Sequence, residues 1–549
     1  MIKPDLWIPA DNLTLEPNAL LAAKEQTCSL ALTAGPGAGK TEMLAQKADF
    51  LLRTGVCPYP KRILAISFKK DASKNLKERV QLRCGSNLSR RFDSFTFHAF
   101  AKRIIDKYRV LLTGLDELEP NYSIGTQRIN KTQIDFESLV PLAIQIVNSS
   151  NIVRNSILQT YSDVFLDEFQ DCTVKQYELI KSIFHNSNIR LTAVGDTKQK
   201  IMGWAGALEG IFLNFASDFH AQPLNMYRNF RSKPKLLRLQ NEIIRNLDPN
   251  AVMAKDLTAG NEGHILHLTF NDSYSEAEYL SNLIKTWIIE ENIPPSEIAI
   301  LVSRQIEYYA LDLMKSLHAK EIPFRNEQNM QDISTEPVAR LIIDYLLCLY
   351  DTRNPRAWQQ LNKLLLPFDS DEKTEVSFLR NFNNFFKQQK LRISALDKQS
   401  LIDSWEESTK DLIKKLNINI LTALSPEYES KAYLKEVLNK LFEQIREFLN
   451  KENDLLKALN CFGHDETVKI LTIHKSKGLE FHSVILLAVE KEAFWSKLED
   501  ERCAFFVGVS RAKERLILTE SQTRPLDSPP YRWKENRSTH EEFFNYRVD

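Results

Sequence analysis

A loop of small residues near the start of the chain has the residue types and spacing that bind phosphate. It lies between an apolar, strand-like segment and a helical pattern, and it reads Ala34-Gly35-Pro36-Gly37-Ala38-Gly39-Lys40-Thr41. Small residues let consecutive backbone N–H groups point at a β-phosphate, and the following helix adds its dipole. Lys40 would reach the β- and γ-phosphate oxygens, and Thr41 would ligate Mg²⁺. The alternative is a glycine-rich turn with a surface lysine, because the strict pattern has glycine where this chain has Ala34.

Two adjacent carboxylates offer the second half of such a site. Asp167 and Glu168 follow an apolar segment at 164–166. Asp167 suits Mg²⁺, directly or through water, and Glu168 can take a proton from an attacking water. An Asp-Glu pair after a strand is more often only the start of a loop. Behind a phosphate-binding loop, the pair predicts one site that binds and hydrolyses a nucleoside triphosphate.

Both motifs need a sheet whose strand ends bring them together. Apolar runs of strand length alternate with helical patterns, which is typical of parallel sheets covered by helices on both faces. We therefore predict an α/β fold with two sheet domains. The predicted strands lie at 29–33, 63–68, 164–166 and 191–194 in the first set, and at 298–302, 468–473, 484–487 and 515–518 in the second.

Residues 351–460 have a different pattern. Strand signals are few, and apolar residues recur every three or four positions, as in helices with one buried face. This stretch divides the second set of strands, so we interpret it as a helical insertion. Its clearest stripe, which we expect to be helix core, is Leu434, Val437, Leu438, Leu441, Phe442, Ile445, Phe448 and Leu449.

Length and composition exclude several classes of protein. The chain has 549 residues, of which 43% are hydrophobic and 26% charged, so it is neither disordered nor a fibrous repeat. No apolar run approaches the roughly 20 residues that span a bilayer, and the start resembles no signal peptide. Seven cysteines without C-x-x-C spacing predict reduced thiols, no zinc site and a cytoplasmic location.

Charge is balanced overall but uneven along the chain. Lys and Arg number 72, as do Asp and Glu, so the net charge is zero. Residues 61–110 nevertheless hold fourteen basic and four acidic side chains. Nucleic-acid phosphates need a local positive field, so we hypothesise a nucleic-acid surface here; the alternative is a solvated helix face.

At Asp167-Glu168-Phe169-Gln170-Asp171 the chain resembles superfamily one helicases of the UvrD/Rep type. The resemblance runs from about residue 14 to residue 518, and each motif is weak alone, whereas the ordered set is specific. The other motifs are Ile66-Ser67-Phe68-Lys69-Lys70-Asp71-Ala72, Thr96-Phe97-His98-Ala99-Phe100, Val194-Gly195-Asp196-Thr197-Lys198-Gln199, Asn229-Phe230-Arg231-Ser232, Thr472-Ile473-His474-Lys475-Ser476-Lys477-Gly478-Leu479-Glu480-Phe481 and Phe506-Val507-Gly508-Val509-Ser510-Arg511-Ala512-Lys513.

The resemblance implies two RecA-like domains with ATP in the cleft between them and an insertion in each. The first domain is predicted at 1–100 and 151–232, with a small helical insertion at 101–150. The second is predicted at 233–350 and 461–549, the last segment including a C-terminal tail, with the helical insertion at 351–460.

The resemblance also implies roles around ATP. Arg231 and Arg511 match the family's arginine fingers, which stabilise charge on the γ-phosphoryl group when the cleft closes. Gln199 matches a residue that senses the γ-phosphate or the attacking water. Phe230 matches the aromatic residue stacked on adenine, and Glu480 matches a contact to the ribose.

Five further positions match the family's contacts to a single strand. Phe68 and Trp204 match positions where bases stack. His98, Thr472 and His474 match positions near the strand or between the strand and the ATP site.

Four positions depart from the family's pattern. Asn18 stands near the expected adenine-reading Gln, and Glu42 stands where Arg is common, so both weaken an inference of strict adenine selectivity. Met202 replaces a base-stacking Tyr. Ala205 replaces an Arg, whose loss would loosen the coupling between ATP and DNA.

We therefore predict an ATP- and Mg²⁺-dependent helicase that moves on single-stranded DNA or DNA junctions, 3′ to 5′ if the family's polarity holds. DNA rather than RNA rests on the resemblance alone. The alternative is an NTP-regulated DNA-binding subunit that barely unwinds and instead controls a separate nuclease or other effector. Met202, Ala205 and insertions that look smaller than in full-length family members motivate this alternative. The resemblance also implies a role in phage defence, where compact members of the family occur beside nucleases. A metabolic P-loop kinase would leave the motifs of Gln199, Arg231, His474 and Arg511 unexplained.

Overall fold

The computed structural model describes residues 2–68, 70–125, 127–199, 208, 210–327, 333, 336–351, 353–365, 372–425, 428, 431–452, 454–460, 462 and 467–546. The chain divides into two units. The first contains Met1–Ile293, Glu297–Ser316 and Ile470–Asp549, and the second contains Pro294–Ser296 and Leu317–Lys469. Within this described part of the chain, no helix combines the length and the apolar character needed to cross a bilayer.

The first half of the first unit is built on a parallel sheet. Its segment of the chain contains the strands β1 (Leu30–Ala34), β2 (Arg62–Ser67), β3 (Phe92–Thr96), β4 (Leu118–Gly125), β5 (Lys131–Asp135), β6 (Tyr161–Leu166), β7 (Arg190–Gly195) and β8 (Gln222–Met226). Six of them form this sheet in the order β3-β2-β6-β7-β1-β8, and neighbouring strands run parallel. The carboxyl ends of β1, β6 and β7, which carry the predicted motifs, therefore meet at one edge.

Helices cover both faces of this first sheet, as the continuous apolar strands predict. Successive residues of β2 enter different cores: Ile63 and Ala65 pack into one, and Leu64 and Ile66 into the other. Thr173 caps the N-terminus of helix Val174–Phe184 through a reciprocal capping box with Gln176. The helices are Pro17–Lys24, Lys40–Arg53, Lys70–Ser89, Phe97–Tyr108, Leu139–Ser149, Asn151–Thr160, Val174–Phe184 and Ile211–Asp218.

The stretch predicted as a small helical insertion, 101–150, also contains a sheet. Strands β4 and β5 pair in parallel as a separate two-stranded sheet. Leu118, Tyr122 and Ile124 of β4 contact the same core as the neighbouring helices. Their even spacing is the alternation of a half-buried strand, a signal that our reading of this stretch missed.

A second sheet completes the first unit. The strands of this half of the chain are β9 (His264–Asp272), β10 (Ile298–Val302), β11 (Phe324–Asn326), β12 (Val468–Thr472), β13 (Phe481–Leu486) and β14 (Ala512–Thr523). Within the first unit their order is β12-β10-β13-β14-β9, with β10, β13, β14 and β9 parallel. The associated helices are Pro234–Leu247, Ser273–Ile289, Ile306–Tyr309, Leu311–Ala319, Leu498–Val509 and Glu541–Asn545. The predicted α/β fold with two parallel sheets is therefore confirmed.

The second unit is mainly helical. Its core contains the whole predicted apolar stripe, with Leu434, Val437, Leu441 and Ile445 buried and the other stripe residues packed against them. The core also takes most of Pro337–Tyr350, so the helical unit includes residues before the predicted bound at 351. The helices are Pro337–Tyr350, Pro355–Leu365, Glu372–Ser394, Lys398–Asp403, Trp405–Ala423, Lys431–Glu452 and Leu455–Asn460.

Candidate nucleotide site and strand-binding edge

The predicted phosphate-binding loop lies between the end of β1 and the start of helix Lys40–Arg53. Gly39 precedes the helix with a φ of +80°, a left-handed conformation that favours glycine. The Lys40 ammonium donates to the carbonyl oxygens of Ala34 and Gly35, each at 3.2 Å. Ala34 is buried in the core as the last residue of β1. Ala34 stands where the strict pattern has glycine, and its methyl group therefore packs in the core.

Gly37 packs directly against a motif from the end of the first sheet. Its φ is +69°, and a Cβ at this position would lie 2.6 Å from Cβ of Arg231 and would clash with the Asn229 side chain. The Phe230 N–H donates to the Gly37 carbonyl oxygen at 2.9 Å. Only glycine leaves room for this approach, which brings Arg231 and Phe230 to the loop.

The carboxylate pair lies at the end of β6, two strands from the loop. Burial raises the pKa of Asp167 well above its usual range, the charge of Glu168 adds to the rise, and Lys40 opposes it. Burial also disfavours the charged form of Glu168, but Lys477 and Lys40 outweigh it and lower the pKa of Glu168. Buried carboxyl oxygens whose charge is only partly offset suit a divalent cation, so these residues fit Mg²⁺.

A hydrogen-bonded network connects the carboxylate pair to the end of β7. Gln170 Nε2 donates to Glu168 at 2.6 Å, and Gln170 Oε1 accepts the Asp196 N–H at 3.0 Å. The Asp196 carboxylate accepts Gln199 Nε2 at 2.8 Å and pairs with Lys198 at 2.9 Å. Gln199, the predicted γ-phosphate sensor, is thus held with its side-chain oxygen free for another donor.

The donor to the Gln199 side-chain oxygen is Arg511, which lies beside the second sheet. Arg511 precedes β14 and is 1% exposed, and its Nη2 donates to Gln199 Oε1 at 2.9 Å. Its other nitrogens donate to the carbonyl oxygens of Val507 at 2.9 Å and Leu479 at 3.1 Å. Burial lowers the pKa of Arg511 to about 9, with a contribution from Arg231, so the guanidinium remains charged at neutral pH.

Arg231 is held by residues of the second sheet as well. Its Nε donates to Glu480 at 2.8 Å and its Nη1 donates to the Ser510 carbonyl oxygen at 3.0 Å. Burial alone would raise the pKa of Glu480, but Arg231 and Lys513 lower it. The predicted ribose contact is therefore an ion-pair partner of a predicted arginine finger.

Lys477 makes another buried contact between the motifs of the two sheets. Its ammonium donates to Asp171 Oδ2 at 2.6 Å and to the Gln199 carbonyl oxygen at 2.7 Å. We assigned no role to Lys477 from the sequence, although it lies in the motif that contains Thr472 and Glu480. Its place in that motif was the only signal, because neither partner is near it in sequence.

Phe230 leaves its ring accessible beside the loop. It is 55% exposed, and the Arg228 guanidinium lies 5.2 Å from the ring centre. An exposed ring next to a phosphate-binding loop is available to stack on a flat base, which agrees with the predicted contact to adenine.

The described residues that are predicted to contact single-stranded DNA lie at or just after the carboxyl ends of β-strands in both sheets. Phe68 follows β2 and is half-buried, and His98 follows β3. The His98 ring stacks on Phe136 with centres 4.1 Å apart, and burial lowers the pKa of His98 to about 4, so the ring is neutral at physiological pH. Thr472 ends β12, and His474 follows it half-buried. Trp204, Met202 and Ala205 lie outside the described residues.

Part of the basic excess in 61–110 is used inside the protein. Arg62 pairs with Asp93 at 2.7 Å, and Arg91 donates to the Lys61 carbonyl oxygen at 2.9 Å. Arg83 pairs with Glu42 at 2.8 Å. These side chains support the fold, so the interpretation of the whole excess as a nucleic-acid surface was too broad.

Comparison with known proteins identifies the family. Residues 15–128 and 122–220 match the UvrD/REP helicase N-terminal domain, and residues 224–368 and 369–523 match the UvrD-like helicase C-terminal domain. The chain belongs to the UvrD/Rep helicase family. The predicted family, its RecA-like fold and its class of enzyme are thereby confirmed.

Several curated relatives are similar over most of their length. DNA helicase II of Escherichia coli K12 is 24% identical over 608 residues, which cover 91% of this chain and 83% of the relative. A probable DNA helicase II homolog of Mycoplasma capricolum is also 24% identical, covering 89% and 81%. The ATP-dependent DNA helicase Rep of Buchnera aphidicola is 23% identical, covering 90% and 91%.

Two departures from the UvrD/Rep pattern have structural partners. Asn18 donates to the Asn225 carbonyl oxygen at 2.6 Å, at the end of the first sheet. Glu42 pairs with Arg83 and with Arg79, the latter at 3.3 Å. The acidic residue after the loop of this helicase therefore anchors helix Lys70–Ser89.

Proposed function

We propose that this helicase couples ATP hydrolysis to movement along single-stranded DNA in the 3′-to-5′ direction and so separates paired strands. Relatives named DNA helicase II and ATP-dependent DNA helicase Rep support DNA as the polymer. The observation that carries the proposal is the 2.9 Å hydrogen bond from Arg511 to Gln199. It joins a predicted arginine finger of the second sheet to the predicted γ-phosphate sensor of the first.

Binding of ATP would use the loop and its helix. Backbone N–H groups of the loop and the Lys40 ammonium would hold the phosphates, so Lys40 would exchange its bonds to Ala34 and Gly35 for phosphate oxygens. Thr41 and Asp167 would hold Mg²⁺, which when bound neutralises charge on the phosphate oxygens. The exposed ring of Phe230 would cover the base.

Hydrolysis needs a base, an oriented water and positive charge on the γ-phosphoryl group. Glu168 would take the proton of the water, since nearby Lys477 favours its charged form. Gln199 would orient that water. Arg231 and Arg511 would stabilise the charge that develops on the γ-phosphoryl oxygens. Because residues of the second half of the unit hold both side chains, their approach to the γ-phosphate would depend on closure of the cleft between the two sheets.

Coupling to the strand would pass through the same contacts. Lys477 and Arg511 both donate hydrogen bonds to Gln199. A movement of Gln199 in response to the γ-phosphate would therefore be transmitted through Lys477 to the turn after β12. That turn contains His474, and it begins at Thr472. Packed sheets move as nearly rigid bodies, so opening and closing of the cleft would alternate the grip of the two halves on the strand.

Strand displacement with tailed duplexes tests the proposal. We expect unwinding of a duplex with a 3′ single-stranded tail, little unwinding with a 5′ tail, and ATP hydrolysis that rises with single-stranded DNA. Lys40→Ala should abolish hydrolysis and unwinding while much of the DNA binding remains. Unchanged DNA-stimulated hydrolysis in Lys40→Ala would refute the assigned loop, and unwinding of the 5′-tailed duplex alone would refute the polarity.

Control of a separate nuclease or other effector stays a prediction. The residues that motivate it, Met202 and Ala205, lie outside the described residues, and none of the contacts within the described residues favours it. Robust unwinding by the isolated chain counts against this alternative.

A further inference from the structure

Trp495 presents a large aromatic surface to solvent beside the second sheet. Its side chain is 68% exposed, although burying an indole would stabilise the fold by removing apolar area from water. Trp495 lies between β13 and helix Leu498–Val509. Exposed aromatic rings that are fixed in place are typical of surfaces that bind a flat partner.

Arg304 fixes one face of this ring. Its guanidinium carbon lies 3.8 Å from the ring centre, and its Nε donates to the Ala493 carbonyl oxygen at 3.0 Å. The Tyr309 hydroxyl donates to the neighbouring Glu492 carbonyl oxygen, also at 3.0 Å. The segment that carries Trp495 is therefore anchored, and solvent reaches the side of the indole that Arg304 does not cover.

Trp495 and Arg304 lie at the same edge of the second sheet as two residues predicted to contact DNA, Thr472 and His474. The Ile473 N–H donates to the carbonyl oxygen of Val302, the last residue of β10, at 2.8 Å. Thr472 and His474 flank Ile473, and Arg304 is two residues beyond Val302. Because β12 and β10 are neighbours, their ends bring Thr472, His474 and Arg304 to one edge of the sheet. The contact with Arg304 places Trp495 beside them.

We propose that Trp495, backed by Arg304, stacks on an unpaired base of the DNA strand that this helicase follows. The inference rests on the proposed function and adds a stacking position on the second sheet. An indole face accepts any base, and the guanidinium behind it favours the negative strand. Two acidic neighbours are engaged: Glu492 accepts the backbone N–H of residue 538 at 3.0 Å, and Glu501 accepts that of residue 496 at 2.6 Å.

Binding of a fluorescein-labelled oligo-dT strand, measured by anisotropy without nucleotide, tests the assignment. Loss of one stacked base weakens binding about 5- to 150-fold, so we expect Trp495→Ala to fall in this range. Trp495→Phe keeps a ring and should lose less. Tyr531→Ala is the matched control, because Tyr531 is 90% exposed with the Arg532 guanidinium 5.3 Å from its ring centre, and it should bind like the wild type.

Photo-crosslinking of the unchanged chain makes the test independent of folding. A strand with 5-iodouridine should crosslink to the peptide that contains Trp495, and thermal melting identifies any variant that has failed to fold. Wild-type affinity in a folded Trp495→Ala, or crosslinks that omit this peptide, would overturn the assignment.

The two proposals fail in distinguishable ways. If single-stranded DNA does not raise ATP hydrolysis by the wild-type chain, the proposed function is wrong. If it does, and the Trp495 peptide is neither crosslinked nor needed for affinity, only the stacking position is wrong.

Discussion

The Lys477 ammonium and the Asp171 carboxylate form a buried ion pair, 2.6 Å apart, between the turn after β12 and the turn after β6. Both side chains are almost completely buried. The same ammonium holds the carbonyl oxygen of Gln199 at 2.7 Å. A buried pair is costly to break from one side, since the remaining charge is left in apolar surroundings. The position of the predicted γ-phosphate sensor is therefore tied to the second sheet.

Removal of the Lys477 charge should impair both stability and coupling. We expect Lys477→Ala to lower the free energy of unfolding by about 3–5 kcal/mol and to reduce DNA-stimulated ATP hydrolysis, because Asp171 is left buried and unpaired. Adding Asp171→Asn should restore much of the stability but not the stimulation. Urea unfolding and steady-state ATPase assays measure the two effects.

An exposed ion pair provides the control for this cycle. Lys175 and Glu178 lie 2.9 Å apart on a helix surface, where such pairs contribute about 0–1 kcal/mol. A loss in Lys477→Ala no larger than that in Lys175→Ala would contradict the role of the buried pair.

The predicted arginine finger should affect turnover far more than binding of ATP. Arginine fingers change kcat by about 10³–10⁵, so we expect a fall of this order in Arg511→Ala with single-stranded DNA present. Arg511→Lys should recover little, because an ammonium cannot reproduce the guanidinium geometry toward Gln199. Arg515→Ala, which removes a partner of Glu291, should leave kcat nearly unchanged. Equal kcat values in Arg511→Ala and Arg515→Ala would refute the assignment.

Gly37 should tolerate no side chain. In Gly37→Ala the new methyl would displace Arg231 and Asn229, and the left-handed backbone adds about 1 kcal/mol of strain, so we expect a lower melting temperature and weak hydrolysis. Gly35→Ala is the control, since a Cβ at Gly35 meets no atom within 4 Å. Melting curves without nucleotide compare the two variants, and equal melting temperatures would count against the tight approach.

His98 should make the protein less stable as the pH falls. Its pKa is about 4 in the folded protein because of burial, against 6.5 ordinarily, so the unfolded chain binds a proton more readily between these values. The wild type should therefore lose stability from pH 6.5 toward pH 4, and His98→Gln should lose less. The difference in melting temperature between the two proteins at pH 7.5 and pH 5 measures this effect. A difference that is the same at both values would show that His98 is not buried as a neutral ring.

Local patterns predicted the sheets and the loop. Apolar runs such as 164–166 lie in strands because both faces of a parallel sheet are covered, and glycine at 37 and 39 is required by left-handed backbone. The order of the motifs predicted the family. The strands and the loop depend on neighbours along the chain, and the order of the motifs is read directly from the sequence, so the sequence alone was enough.

Contacts between segments that are distant in the chain could not be predicted from the sequence. Nothing near Lys477 indicates that it pairs with Asp171, 306 residues away, or that Phe136 covers His98. The count of basic residues in 61–110 also overstated the surface available to nucleic acid, because Arg83 of this segment pairs with Glu42 inside the protein. Side-chain partners of this kind are set by how the elements pack, which composition does not encode.

The rate of ATP hydrolysis by the purified chain with single-stranded DNA, duplex DNA, RNA and no nucleic acid tests the coupling most directly. We predict the highest kcat with single-stranded DNA, a low rate without nucleic acid, and loss of the difference in Lys477→Ala. The same rate under all four conditions would contradict the claim that the nucleotide site and the grip on a strand are coupled.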